Sequence, residues 1–435
     1  MRLFTTYFLV AFVSCCLVAN ALAQSASLIY PAITKRVAQN TVLASLCKGR
    51  SAEAAKFQMA LAFHVDSLYR VRLIERPYHA SALKKILTQP LGDTTLSSAY
   101  LFIDALVATA FDLFRGSAAG GAVGYDAVSP LYRLRDDSLI EAGLRKISSE
   151  RQMSRWLFSL EPSAKDYLLV RKTLLARQKK DTRSGSESSL SDTVLNLQRS
   201  LQLYRWIFHF GLDHFMLVNI ASAQLNLYEK GSTAISMRAI VGKPSTPTPR
   251  FASFCKQLIL YPYWYVPASI AIGEYLSKIK RDPGWLDQRN MQLVDAGGRV
   301  VDHYRVNWKD FHAGYFPYTI RQSTGCDNAL GVLKFDIETP YGVYLHDTNN
   351  KSAFLRDARF LSHGCIRLEE PLLLGSKLLR DGLDTAYLQS CFADKKPIAR
   401  ALEDPVAVFC LYLPATFDAE GRLRIHRDVY KLFVK

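Results

Sequence analysis

The amino-acid sequence predicts an α+β protein: a helical N-terminal scaffold domain followed by a mostly-β domain that carries an insertion. Three observations predict it. Apolar residues recur at helical intervals from about Ser27 to Lys180, a polar low-complexity run follows, and from Phe215 onward short stretches alternate in hydrophobicity. With 435 residues, of which 49% are hydrophobic, the chain is long enough to bury two separate cores.

The chain opens with Arg2 and a largely apolar run from Leu3 to Val18, and Ala21-Leu22-Ala23 then offers an A-x-A cleavage site before Gln24. Residues 1–23 therefore read as a secretory signal peptide. A rival reading ends a lipobox at Cys15 and lipidates that thiol, but Phe12 stands where such a box prefers leucine. No later stretch offers the roughly 18 apolar residues of a membrane span, so no transmembrane segment is expected in the mature chain.

Residues 24–212 form the expected helical domain. Ala54, Phe57, Ala60, Leu61, His64 and Leu68 recur on one helical face, and Tyr100, Ile103, Leu106, Val107 and Ala110 on another. The glycine-rich stretch from Gly116 to Gly124 lacks the Lys and Ser/Thr that follow the glycines of a phosphate loop, so it reads as an inter-helix connection. A polar linker is expected near 179–191, then a last helix from about Asp192 to Ile207.

The β domain is expected over 213–435, beginning with a hairpin whose strands, Gln224 to Tyr228 and Ala234 to Val241, flank a turn containing Gly231. From about 267 to 323 the alternation lapses into an insertion with a helix near Ile270 to Lys280. Its aromatics (Trp285, Tyr304, Trp308, Phe311, Tyr315, Phe316, Tyr318) predict an ordered element. Strands resume at Gly331 to Ile337 and at Gly342 to His346. Pro371 starts a helix to about Arg380, Val406 to Leu413 is a strand, and a hairpin through Glu420-Gly421-Arg422 closes the domain.

Lys and Arg number 55 against 39 Asp and Glu, a net charge of +16 that suits an anionic partner such as wall polymer, lipid surface or nucleic acid. Nucleic acid is the weakest of these, because the chain is exported and its basic residues are spread rather than clustered. Beyond the leader, Cys47, Cys255, Cys326, Cys365, Cys391 and Cys410 show no CxxC or regular spacing. That excludes a disulfide framework and leaves open whether any two of Cys47, Cys255, Cys326, Cys391 and Cys410 pair.

The chemistry-bearing run is Ser362-His363-Gly364-Cys365-Ile366-Arg367. A thiolate attacks acyl carbons well but needs a base and an oxyanion site. His346, at the end of a predicted strand, is the first candidate base and His363 the second. Gly364 permits a tight turn whose N–H groups, with that of Cys365, would line an oxyanion site, and Arg367 would hold a carboxylate or brace the loop. Zinc held by His346, His363 and Cys365 lacks the usual spacing and a fourth ligand, so no metal or other cofactor is expected. On residue types alone, a buried structural thiol and a satisfied core histidine are the default readings.

Ser362-His363-Gly364-Cys365-Ile366-Arg367 with Leu345-His346-Asp347-Thr348 resembles the signature of the YkuD-type L,D-transpeptidases. Longer runs resemble their large periplasmic YcbB-like branch. These are Val218-Asn219-Ile220 with Ala223-Gln224-Leu225, Ile240-Val241-Gly242-Lys243-Pro244, Thr246-Pro247-Thr248-Pro249, Tyr261-Pro262-Tyr263-Trp264, Val266-Pro267 and Asn328-Ala329-Leu330-Gly331. Cys326 departs from the proline common at its place, and no separate peptidoglycan-binding module is recognisable.

The resemblance implies a mostly-β catalytic domain whose insertion caps the substrate. Cys365 would be the thiolate nucleophile, His346 the general base and acid, and the Asp347 backbone carbonyl its orienting group. Ser362, His363, Gly364 and Arg367 would shape the oxyanion site and acyl pocket, and Tyr344, Trp264, Tyr318 and Asn328 would line the substrate. The implied partners are peptidoglycan stem peptides, a donor tetrapeptide and an amine acceptor, beside anionic cell-wall polymer. The implied reaction is 3→3 cross-linking in the periplasm through a thioester. Hydrolysis or D-amino-acid exchange on the same thioester, or a non-catalytic wall-binding scaffold, are the alternatives.

Overall fold

A computed structural model describes residues 28–39, 41–49, 51–74, 76–88, 96–116, 131, 138–183, 191–391 and 396–433. The leader with Cys15, and the glycine-rich stretch beyond Gly116, lie outside the described residues. The chain divides into two compact units, one of Met1–Ala122, Leu134–Gly211 and Pro414–Ile425, the other of Val123–Arg133, Leu212–Leu413 and His426–Lys435.

In the helical unit, the helix Ala52–Arg70 starts at Ser51, whose side chain accepts the Ala54 N–H at 3.1 Å and satisfies one of the donors a helix start leaves open. It buries Phe57, Leu61, Val65 and Leu68, while the helix Leu96–Arg115 is buried from Leu101 through Leu113 and is the hub of this core. Arg205 lies fully buried. Its guanidinium donates to the Tyr167 hydroxyl at 3.1 Å and the Asp112 carbonyl at 3.2 Å, and pairs with Asp112 and Glu161. Neutralised on several sides, the charge can stay inside. The expected linker is corrected in part: Lys179 to Arg183 continue the helix Lys165–Arg183. Residues 184–190 lie outside the described residues.

The β unit starts with β1 (His214–Asn219), β2 (Gln224–Glu229), β3 (Ser232–Gly242) and β4 (Phe251–Leu260). Lys230 and Gly231 join β2 to β3 with φ of 48° and 74°, the left-handed pair that a two-residue hairpin turn requires. The insertion adds β5 (Trp264–Tyr265), a helix over 268–281, β6 (Met291–Val294), β7 (Val300–Val301) and β8 (Thr319–Gln322). These strands form a separate sheet, in the order β5-β8-β6-β7, over a small core of Val266, Ile270, Leu276, Ile279, Leu293 and Trp308. The insertion thus folds as a cap with its own core, and its sheet begins at Trp264.

The main sheet resumes with β9 (Leu333–Ile337), β10 (Leu345–His346), β11 (Phe360–Ser362), β12 (Ile366–Leu368) and β13 (Ile398–Leu411). Its order is β11-β3-β12-β10-β9-β4-β13-β1-β2, and because β2 also pairs with β3 the strands close into a ring around one core. Two predicted bounds differ. Of the expected strand Gly342 to His346, β10 keeps Leu345 and His346, since Gly342 turns the chain at φ +61°. The strand expected from Val406 starts at Ile398, with its register shifting between Ala401 and Val406.

Cys326 pairs with Cys391 in a disulfide, Cα to Cα 5.1 Å, while Cys47, Cys255 and Cys410 are buried free thiols. The closing hairpin, β14 (Ala415–Phe417) and β15 (Leu423–Ile425), is grouped with the helical unit rather than with the β domain expected to extend to 435. Within that unit the Ala415 N–H donates to the Ser200 hydroxyl at 2.9 Å.

Candidate active site

Strand register decides which residues meet. β10 pairs in parallel with β12, Leu345 opposite Ile366 and His346 opposite Arg367, and antiparallel with β9, His346 opposite Lys334. Leu345, Ile366 and Phe335 are fully buried in the core, so the two-residue alternation sends His346, Arg367 and Lys334 to the other face, along with Tyr344 and Cys365 one step along. The Ile366 N–H donates to the Tyr344 carbonyl at 3.1 Å and fixes this step.

A web of hydroxyls shapes the loop that carries Cys365. Ser362 is buried; its hydroxyl donates to the Cys365 carbonyl at 2.6 Å and accepts the Gly364 N–H at 3.1 Å. The Thr248 hydroxyl donates to the Gly364 carbonyl and accepts the Gly242 N–H, each at 2.8 Å. Gly364 holds φ +120°, a backbone region that side chains with a Cβ rarely enter. The expected oxyanion pair is corrected accordingly: the Gly364 N–H is taken by Ser362, whereas the Cys365 N–H has no partner among the described residues.

The His346 ring is buried, and its Nδ1 lies 2.5 Å from the Asp347 carbonyl oxygen. A carbonyl only accepts, so Nδ1 carries the proton and Nε2 presents its lone pair. Burial, reinforced by the Arg367 charge, lowers the His346 pKa to about 3. Burial also raises the Cys365 thiol above its ordinary value, opposed by hydrogen bonds from the Tyr344 N–H and hydroxyl and by the charges of Lys334 and Arg367. Both shifts favour the neutral thiol and the neutral imidazole, in line with a thiol that needs a base to activate it.

Tyr344 sits at the centre of this face. Its ring meets the His346 ring edge-on at 5.6 Å and takes Lys334 Nζ over its face at 4.5 Å, while its hydroxyl lies within interaction range of Cys365 and of Trp264 from the cap. Asp347 is buried, and its carboxylate accepts the Val332 N–H at 3.0 Å and the Lys351 ammonium at 2.5 Å. Arg367 is half-buried, and its guanidinium has no hydrogen-bond or ion-pair partner among the described residues.

Three predicted residues are engaged by other contacts. His363 turns to the cap, its Nε2 lying 2.8 Å from Glu274. Tyr318 belongs to the cap's aromatic cluster, 5.6 Å from Phe311 and 6.4 Å from Phe316. Asn328 is fully buried, and its amide serves the Pro262 and Ser323 carbonyls and the Leu330 N–H, which ties its own loop. Sequence reasoning missed Lys334, Thr248, Glu274 and Tyr275. Of these, Lys334 was findable: in Leu333-Lys334-Phe335-Asp336-Ile337 the polar residues alternate with core residues and so share the face of His346.

Residues 213–375 match the family model of the L,D-transpeptidase catalytic domain, YkuD. Over these residues the chain is similar to a YkuD catalytic domain. A Haemophilus influenzae protein described as a candidate L,D-transpeptidase is 34% identical over 246 residues, covering 56% of this chain and 49% of that one. The chain thus spans about half the length of that curated relative. Solved structures that match include an L,D-transpeptidase from Mycobacterium smegmatis, 17% identical over 45% of this chain and 58% of that one, with a TM-score of 0.23. Another is L,D-transpeptidase 3 from Mycobacterium tuberculosis in complex with a faropenem-derived adduct, 14% identical over 46% of this chain and 60% of that one, TM-score 0.23. At these scores the overlays add nothing to the family match. The YkuD match spans β1 to the helix Pro371–Leu378, and with it Cys365, His346 and the cap.

Proposed function

We infer that this protein is an exported, cysteine-dependent L,D-transpeptidase that forms 3→3 cross-links between peptidoglycan stems. The observation that carries the reading is the shared face of β10 and β12, where a histidine fixed by the Asp347 carbonyl stands beside the strand that follows Cys365. In the first step the Cys365 sulfur attacks the carbonyl carbon of the third stem residue, an L-centred diamino acid such as meso-diaminopimelate. The thiol proton passes through His346 Nε2 to the departing nitrogen as the bond to the terminal D-alanine breaks, leaving a thioester. In the second step the side-chain amine of another stem attacks the thioester, loses its proton to His346, and the thiol is restored. In this reading the Cys365 N–H would hold the developing oxyanion, and the Arg367 guanidinium would take a substrate carboxylate. The net charge of +16 suits contact with anionic wall polymer.

Neutral partners at rest fit this sequence of proton transfers, because thiol and base need ionise only as the carbonyl is attacked. The Cys326–Cys391 disulfide supports an oxidising compartment such as the periplasm, in line with the leader read from residues 1–23. The direct test is intact mass after exposure to faropenem. One adduct is expected on the wild type and none on Cys365→Ala, with His346→Ala slowed by about 10²–10⁴-fold. An equal adduct on Cys365→Ala would sink the nucleophile assignment. Wall digests from cells with and without the gene then separate cross-linking, read as 3→3 dimers, from hydrolysis, read as tripeptides.

A further inference from the structure

The helix over 268–281 changes its winding part-way. Ala268–Ile270 and Leu276–Arg281 are α-helical, and Ala271–Tyr275 between them is a π-turn. The buried positions show what the extra residue does. Ile270, Ala271, Leu276 and Ile279 face the cap core. In an unbroken α-helix, Glu274 and Tyr275 would follow Ala271 on that face; the π-turn gives the place to Leu276 and displaces the two of them. Glu274 then meets His363 at 2.8 Å, and Tyr275 stands within electrostatic reach of Arg367. His363 and Arg367 are the residues two before and two after Cys365. The displaced pair on the cap thus addresses both sides of the nucleophile.

We propose that Glu274 is a positioning residue whose pairing with His363 latches the cap over Cys365. The latch itself is independent of the reaction assigned above; its effect on product choice rests on that assignment. Both side chains are partly exposed, Glu274 by 44% and His363 by 36%, which makes the pair weak enough to open in each turnover. Closure matters most in the second step, where water and amine compete for the thioester and a closed cap keeps water out. Next to the pair in sequence, Tyr275 has Glu274, Arg289 and Arg367 within electrostatic reach, and Cys365 has Lys334 and Arg367.

The test is the rate at which iodoacetamide, a neutral reagent, alkylates Cys365, followed on its tryptic peptide in the full-length protein. Glu274→Ala and the isosteric Glu274→Gln are expected to react about two- to fivefold faster than wild type at low salt, the range a partly exposed ion pair allows. At a pH where His363 is protonated, added salt should bring the wild type up toward the variants. Equal low-salt rates in wild type and both variants overturn the latch. If a thermal melt shows Glu274→Ala unfolded, Glu274→Gln carries the comparison alone. In the transfer assay both variants should shift products from dimer toward tripeptide. Changed alkylation with no transfer by the wild type would keep the latch and reject the transpeptidase reading. Unchanged alkylation and product ratio with normal transfer would do the reverse.

Discussion

His346 shows how much one environment does to one side chain. Its ring is neutral in the fold down to a pKa of about 3, against 6.5 when free, so between these values the unfolded chain binds a proton that the folded chain does not. Stability therefore rises with pH across that window and is lost as the medium is acidified, by up to roughly 1.4 kcal/mol per pH unit. Urea midpoints at pH 6.5 and pH 4.5 should show this slope in the wild type and a shallower one in His346→Gln. An unchanged slope in the variant would mean that other groups carry the acid sensitivity. Gly331 gives a second residue-level expectation. It holds φ +58°, and an added Cβ would sit 2.2 Å from Asp347 Oδ2. Gly331→Ala should cost at least about 1–2 kcal/mol from backbone strain alone, visible as a lower denaturation midpoint. It should also slow faropenem acylation, because Asp347 would have to move and its carbonyl orients His346.

At the scale of elements, periodicity located the hairpin of β2 and β3, the helix of the cap and β9, since each shows its burial pattern in the order of its residues. It misjudged β10, where Gly342 and the loop after it read as alternation but make no ladder. It could not foresee the π-turn, because whether Tyr275 or Leu276 enters the cap core depends on what the neighbouring strands leave unfilled. Nor could it pair Cys326 with Cys391, which stand 65 positions apart and meet through the fold of the cap and sheet. That disulfide anchors the loop in which Cys326 replaces a rigid proline. Breaking it by Cys326→Ser with Cys391→Ser should lower stability by up to about 4 kcal/mol on loop-closure entropy. Denaturation of wild type with and without reductant should reproduce the difference.

For the whole molecule, the chain returns at its end: Pro414–Ile425 join the helical unit, and His426–Lys435 the β unit. A fragment beginning at Leu212 would lack Ser200, which accepts the Ala415 N–H, and would leave β14 and β15 without their helices. Limited proteolysis of that fragment should cut first within 414–425, a segment expected to be protected in the full chain. Sequence by itself determined the helical and β halves, the capping insertion, and Cys365 and His346 as the residues to watch, because periodicity and motif are local and survive reading in one dimension. Tertiary structure alone decided the tautomer of His346, the neutral resting pair, the burial of Asn328 and the turning of His363 to Glu274. Each of these depends on which distant strand or helix supplies a carbonyl, a charge or a lost contact with water, and residue order does not encode that distance.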